Sequence, residues 1–319
     1  MSVAFADVQT ARARITPYIR RTALLRADGV APAAGAAVAL KLENTQVTGS
    51  FKPRGIVNAV LSLPRDRLER GVITMSAGNT AIALAYAAHV ARAKATVVMP
   101  QGAPRSKVDA VRELGGEIVF HPDRVTLGER LSAERERTGA TLVHPHEDPE
   151  VLAGHGTLAL EILEDEPTVS LVVVVAVGGG GLIAGIAAAL AERAPRVRVV
   201  GVETRGAPTM RSALQNGAPK RLDRIDTIAD GLTAPIAGRA AFEIVRQCVA
   251  DVVLVDDGAV REAMRVLARE AKQVVEPAGA TALAGLLSGA VQVRERERVV
   301  VLVSGGNVDL DRYGELLRE

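Results

Sequence analysis

The chain has 319 residues, 48% hydrophobic and 24% charged, enough for one large α/β unit or two domains with buried cores. Its formal charge is only +2 and its basic residues are scattered, which argues against nucleic acid or a membrane surface as partner. Cys248 is the single cysteine, so an internal disulfide is excluded and a reducing cytoplasm is expected; residues 1–10 show no secretory signal, and the longest apolar stretch, 171–177, is too short to span a bilayer.

Taken from the N-terminus, short β-branched apolar runs predict strands over 38–42, 71–75, 95–99, 117–120, 171–177, 197–202 and 298–303. Helical spacing starts at Ile56 and covers 80–93, 105–114, 182–193 and 257–273, and a small-residue helix opens at Glu276. Strand and helix alternating at this rhythm imply an α/β fold with a parallel, helix-covered sheet. The runs at 171–177 and, after its leading Arg298, 298–303 are apolar rather than alternating, which suits central strands buried on both faces. Residues 31–37 read as a loop, and the alternating charges at 294–298 as a solvated turn before the last strand. No tandem repeat stands out, and no linker marks a domain boundary.

Five short motifs could carry chemistry. Thr48-Gly49-Ser50-Phe51-Lys52-Pro53-Arg54-Gly55 puts a lysine at a loop-to-helix junction, where the positive end of the helix dipole favours the free amine. The chain holds only six lysines among its 39 basic residues, and arginine does not serve as an amine nucleophile. An exposed surface lysine is the alternative. Ser76-Ala77-Gly78-Asn79-Thr80 links a strand to a helix and could bind a carboxylate, or could simply cap the helix. Gly178-Gly179-Gly180-Gly181 follows the strongest strand; four glycines suit a backbone that approaches a phosphate closely. The run lacks the Lys-Ser/Thr of a Walker loop. Glu203, 22 residues beyond Gly181 at a strand end, keeps a dinucleotide site open, and with it a non-catalytic nucleotide-binding α/β protein. Glu276-Pro277-Ala278-Gly279-Ala280 and Ser304-Gly305-Gly306-Asn307 are either turn chemistry or further site loops. Four of these elements fall at or near the carboxyl ends of predicted parallel strands, where such sheets bind ligands. A phosphate site, a carboxylate site and one amine together describe a pyridoxal-phosphate enzyme acting on an amino acid.

In that order and spacing, with Lys41-Leu42-Glu43-Asn44 and the 16–25 segment before them, the motifs resemble the fold-type II pyridoxal-phosphate enzymes. The branch is that of threonine/serine dehydratases and serine racemases, and the resemblance covers nearly the whole chain. It implies two open, mostly parallel twisted sheets covered by helices. A large cofactor-binding domain would comprise 1–45 and 142–319, and a small mobile domain 46–141. By the same resemblance Lys52 carries pyridoxal 5'-phosphate as a Schiff base, Phe51 packs on its ring and Asn79 meets the ring oxygen. Gly178, Gly179, Gly180, Gly181 and Leu182 hold the phosphate, Glu276 joins the cofactor contacts, and Ser304 faces the pyridine nitrogen. Ser76, Ala77, Thr80 and His146 line the substrate site, with Lys52 and Ser76 as the catalytic pair. A soluble homodimer acting on a small amino acid is implied, without nucleic acid or membrane.

The reaction this implies is α,β-elimination from a β-hydroxy amino acid such as L-threonine or L-serine, giving a 2-oxo acid and ammonia. Ala77 stands where racemases of the branch carry a second acid/base serine, so racemisation should be poor. The run Asn79-Thr80-Ala81-Ile82 is closer to threonine and cysteine synthases, which keeps β-replacement, a threonine-synthase-like lyase, and related substrates (hydroxyaspartate, phenylserine) open. His146 falls where relatives have Phe or Asn, and a surface histidine is its alternative. The divalent-cation pattern of the branch is matched at Glu203 and Ala207, but its third position holds Thr209, one hard anionic ligand fewer. Because the sequence stops soon after the last motif, a C-terminal regulatory domain and isoleucine feedback through it are not expected.

Overall fold

A computed structural model describes residues 3–32, 35–123, 126–168 and 170–319. Two sheets organise the chain. The larger is six-stranded, from β1 (Leu24–Arg26), β2 (Val38–Leu42), β7 (Leu171–Ala176), β8 (Arg198–Thr204), β9 (Asp251–Val255) and β10 (Arg298–Val303), in the order β1-β2-β10-β7-β8-β9. Only the β1–β2 pairing is antiparallel. The smaller sheet holds β3 (Val72–Met75), β4 (Ala95–Pro100), β5 (Glu117–His121) and β6 (Thr141–Leu142), all parallel, in the order β5-β4-β3-β6.

The apolar runs are explained by burial on both faces. Along β7, Val173 and Val175 enter one hydrophobic cluster and Val172, Val174 and Ala176 the other; β10 divides its residues the same way. The smaller sheet has its own two layers. Ile56, Val57, Leu84, Val97 and Met99 pack on one side, and Ile73, Val98 and Leu127 on the other. Among the described residues, no helix is long and apolar enough to cross a membrane.

Each predicted strand is present, with ends shifted by two residues at most. Helix starts show more. The helix expected from Ile56 begins at Lys52, because Pro53 is tolerated in the first turn, where no intrahelical N–H partner is needed. Asn79 and Gly181 likewise open their helices one residue early. Residues 294–297 do form a turn, although Glu297 is buried there against Arg198. The 31–37 loop lies partly outside the described residues. The helix Pro149–Asp165 was not singled out in the sequence, nor were Phe5–Ile15, Leu127–Thr138 and Arg239–Cys248 or the strand β9. The first carried a readable start: Asp148 caps it by accepting from Glu150 N at 2.9 Å, and Pro149 follows at once.

Candidate active site

The carboxyl ends of β3, β7 and β10 and the start of the helix Lys52–Leu61 converge on a cavity of about 400 Å³, within the size range of small-molecule sites. Of the residues the sequence proposed, Phe51, Lys52, Ser76, Ala77, Asn79, Thr80, His146, Gly178 to Gly181, Leu182, Glu276 and Ser304 all line it.

The Lys52 loop is held by the Ser304 loop. Phe51 N donates to Ser304 O at 3.0 Å, Gly306 N donates to Gly49 O at 2.8 Å, and Ser50 bridges Gly305. Lys52 then occupies the first helical position. Its Nζ lies 4.8 Å from the centre of the Phe51 ring, and Phe51 rests edge-on against buried His155 at 4.8 Å. Burial lowers the Lys52 amine to about 8, and the carboxylate of Glu276 resists that fall. The helix start adds a push in the same direction as burial.

The tetraglycine turn is shaped for an anion. Gly180 has φ +94°, a left-handed conformation that suits glycine, and caps the helix Gly181–Arg193 without any side chain. A methyl group on Gly179 would sit 2.5 Å from His146 Nδ1. Among the described residues, no N–H from Gly178 to Leu182 donates to a protein acceptor. Five donors at a helix N-terminus, facing a cavity that also holds an amine, fit a phosphate.

The third wall is a polar chain. Asn307 Nδ2 donates to Thr48 O at 2.7 Å and to Asn79 Oδ1 at 2.9 Å. Asn79 Nδ2 donates to Glu276 Oε1 at 2.5 Å. Lys107 Nζ lies 3.6 Å from Glu276 Oε2 and donates to Asp230 Oδ2 at 3.0 Å. Burial pushes Glu276 up to about 7, with Lys107 pulling it back. Ser76 Oγ accepts from Gly78 N at 3.1 Å, and Ser304 Oγ donates to Ala278 O at 3.4 Å.

The sequence did not single out Lys107 or the 230–235 segment that forms one wall, and it gave Asn307 no role beyond its motif. Lys107 carried a signal, as one of six lysines in the chain. The 230–235 segment carried none, because nothing in its pattern separates it from an ordinary loop. Glu203 and Ala207 are not in the cavity. The two oxygens of Glu203 accept from Met210 N at 2.7 Å and Arg211 N at 2.8 Å, capping the helix Thr209–Asn216. A dinucleotide reading thereby loses its acidic residue to a structural task, and among the described residues no cluster of three metal-binding side chains occurs.

Comparison with known proteins agrees with this site. An L-threonine ammonia-lyase of Thermotoga maritima is 37% identical, over 99% of this chain and 79% of its own. A catabolic L-threonine dehydratase of Staphylococcus aureus is 40% identical, over 99% of this chain and 92% of its own. Among solved structures, maize serine racemase superposes with a TM-score of 0.94 at 34% identity, covering 100% of this chain and 98% of its own. A solved threonine deaminase of T.th. gives 0.89 at 38% identity, covering 96% and 99%. Residues 15–305 match the family described as pyridoxal-phosphate dependent enzymes, and the amine, the anion turn and the polar wall found here are what such a cofactor requires: the chain belongs to that family.

Proposed function

We propose that the protein is an ammonia-lyase for β-hydroxy amino acids such as L-threonine or L-serine, releasing a 2-oxo acid and ammonia by α,β-elimination. The observation that carries this reading is the meeting, in one cavity, of an amine of lowered basicity, a phosphate-shaped turn and a second loop at a helix start. The names of the relatives at 37% and 40% identity support the reaction class.

In this reading the N–H groups of Gly178 to Leu182 would hold the phosphate, and Lys52 the aldehyde carbon. Phe51 would cover the ring, Asn79, its amide fixed by Glu276 and Asn307, would meet the ring oxygen, and Ser304 would face the ring nitrogen. Pyridoxal phosphate, when bound, supplies the electron sink for the pair left at the α-carbon. Ser304, a hydroxyl rather than a carboxylate, cannot balance a protonated ring nitrogen. The sink is then weak, which suits a reaction whose charge departs with the leaving group. The loop Ser76–Thr80 receives the substrate carboxylate at the N-terminus of the helix Asn79–Ala91. Lys52 Nζ, once free, takes the α-proton; an amine near pKa 8 is closer to neutrality than an exposed lysine and so a better-matched base. Ala77 has no proton to give on the opposite side. The same reading takes 46–141 as a small domain closing on substrate and 1–45 with 142–319 as the large one; the smaller sheet's own core supports it, a core that Ile15, Val143 and Val151 also enter. It also takes the enzyme as a cytoplasmic homodimer.

The test is product analysis with L-threonine and L-serine, with and without a thiol. Equal amounts of 2-oxo acid and ammonia are expected; a thioether product would replace elimination by β-replacement. Ala77→Ser should raise the ratio of racemisation to elimination on the order of a hundredfold, the low end of what a positioned acid or base contributes. Chiral analysis of residual serine reads this ratio. Wild-type protein racemising serine as fast as it deaminates it would contradict the role given to Ala77.

A further inference from the structure

The polar side chains of the cavity are nearly all engaged. Ser76 accepts from Gly78, Asn79 joins Glu276 and Asn307, Lys107 joins Asp230 and Glu276, Thr233 Oγ1 donates to Asp230 O, and Ser304 donates to Ala278. Among the described residues lining the cavity, the polar side chains with no hydrogen bond or ion pair in the protein are those of Lys52, Thr80 and His146. Lys52 serves the cofactor, and Thr80 belongs to the loop assigned to the substrate carboxylate. That leaves the imidazole of His146 without a partner.

Its place is on the other side of the cavity. Thr80 follows β3 of the smaller sheet, whereas the His146 ring lies on Gly179, in the turn after β7 of the larger one. Gly238, whose N–H donates to Gly179 O at 3.0 Å, also packs on this histidine: a methyl group there would be 3.1 Å from His146 Cδ2. His144 meets the ring edge-on at 4.6 Å. The imidazole is therefore fixed in direction. Burial first, with His144 and Lys52 adding to the fall, lowers its pKa to about 3, so it stays uncharged at neutral pH. A neutral imidazole offers one donor and one acceptor, as a hydroxyl does.

We propose that His146 is a specificity-determining residue that hydrogen-bonds the β-hydroxyl of the substrate and so selects a hydroxyl as the leaving group. A small amino acid spanning the cavity would put its carboxylate on the Ser76–Thr80 wall and its β-substituent against His146. The proposal rests on the elimination reading above and goes beyond it by naming the group that recognises the leaving oxygen.

The experiment compares L-serine with β-chloro-L-alanine in the holoenzyme, for the wild type, His146→Phe and His146→Asn. Chloride leaves without needing a hydroxyl contact. His146→Phe should lower kcat/KM for L-serine roughly 10–100-fold and for β-chloro-L-alanine by no more than about threefold. His146→Asn, which keeps a donor and an acceptor in less volume, should recover at least half of the logarithmic loss. Equal losses on both substrates in His146→Phe and His146→Asn, or no loss on serine in either, would overturn the proposal while leaving the elimination reading intact. Failure of the wild type to release pyruvate from either substrate would overturn both. Cofactor absorption of each variant, read beforehand, shows whether a uniform loss is one of cofactor binding, which is the structural outcome.

Discussion

Lys52→Ala is expected to lower 2-oxo acid release from L-threonine or L-serine by roughly 10⁴-fold or more, and to abolish the long-wavelength absorption of lysine-bound cofactor. The loss is large because the residue has two tasks at one atom. Nζ holds the cofactor and, when free, takes the α-proton. No other cavity residue can substitute: Lys107, the second lysine there, is paired with Asp230 and Glu276, and the pairing holds its pKa above the ordinary value despite burial. Lys52→Arg should fare no better, because a guanidinium keeps its proton. Single-turnover assays and absorption spectra check both variants. Turnover within tenfold of the wild type in Lys52→Ala would remove Lys52 from the chemistry.

Arg54→Met is expected to destabilise the protein by about 3–5 kcal/mol, the cost of breaking a buried ion pair by removing one partner. Arg54 lies two residues beyond Lys52 on the same helix and is fully buried. Its guanidinium grips two carboxylates. Nε and Nη2 donate to Glu43 at 2.7 and 2.8 Å, while Nη1 and Nη2 donate to Glu161 at 2.7 and 3.0 Å. Lys41 Nζ completes the network, 2.7 Å from Glu161 and 2.8 Å from Thr22 O. Burial opposes the charge on Arg54, yet the two carboxylates hold its pKa above the ordinary value. Without Arg54, Glu43 keeps only the Thr22 hydroxyl, at 2.5 Å, and stays buried. Methionine fills much of the volume, so the loss reports the uncompensated charge rather than a cavity. Arg54→Lys should recover little, since one ammonium cannot serve two bidentate carboxylates. Denaturant unfolding of the variants reads the effect. A change below about 1 kcal/mol would show that the network contributes nothing net to the anchoring of the Lys52 helix.

The sequence made the central strands legible because β7 throughout and β10 after Arg298 are apolar at every position, the mark of burial on both faces. It made the site legible because Lys52, the Ser76 loop, the tetraglycine and Ser304 each stand at a junction between elements, where glycine, serine and asparagine are concentrated. The Arg54 network was not legible. Glu161 lies more than a hundred residues from its partners at 41, 43 and 54, and charged residues in a sequence suggest a solvated face rather than a buried cluster. Lys107 and Asp230 were missed for the same reason: their pairing joins an exposed-looking helix, Arg105–Glu113, to a loop more than a hundred residues away. Glu203 has a task that its position at a strand end did not announce: its two oxygens accept from the N–H groups that open the next helix. His146 was placed in the pocket by position alone, and its lack of a hydrogen-bond partner could be found only in three dimensions.

The assignment of Lys52 is tested most directly by borohydride reduction of the purified holoenzyme, followed by peptide mapping by mass spectrometry. The account predicts that the pyridoxyl-phosphate mass is found on the peptide containing Lys52 and on no other. The label on Lys107 or on any of the other lysines, or no label on a protein that still deaminates its substrate, would contradict it.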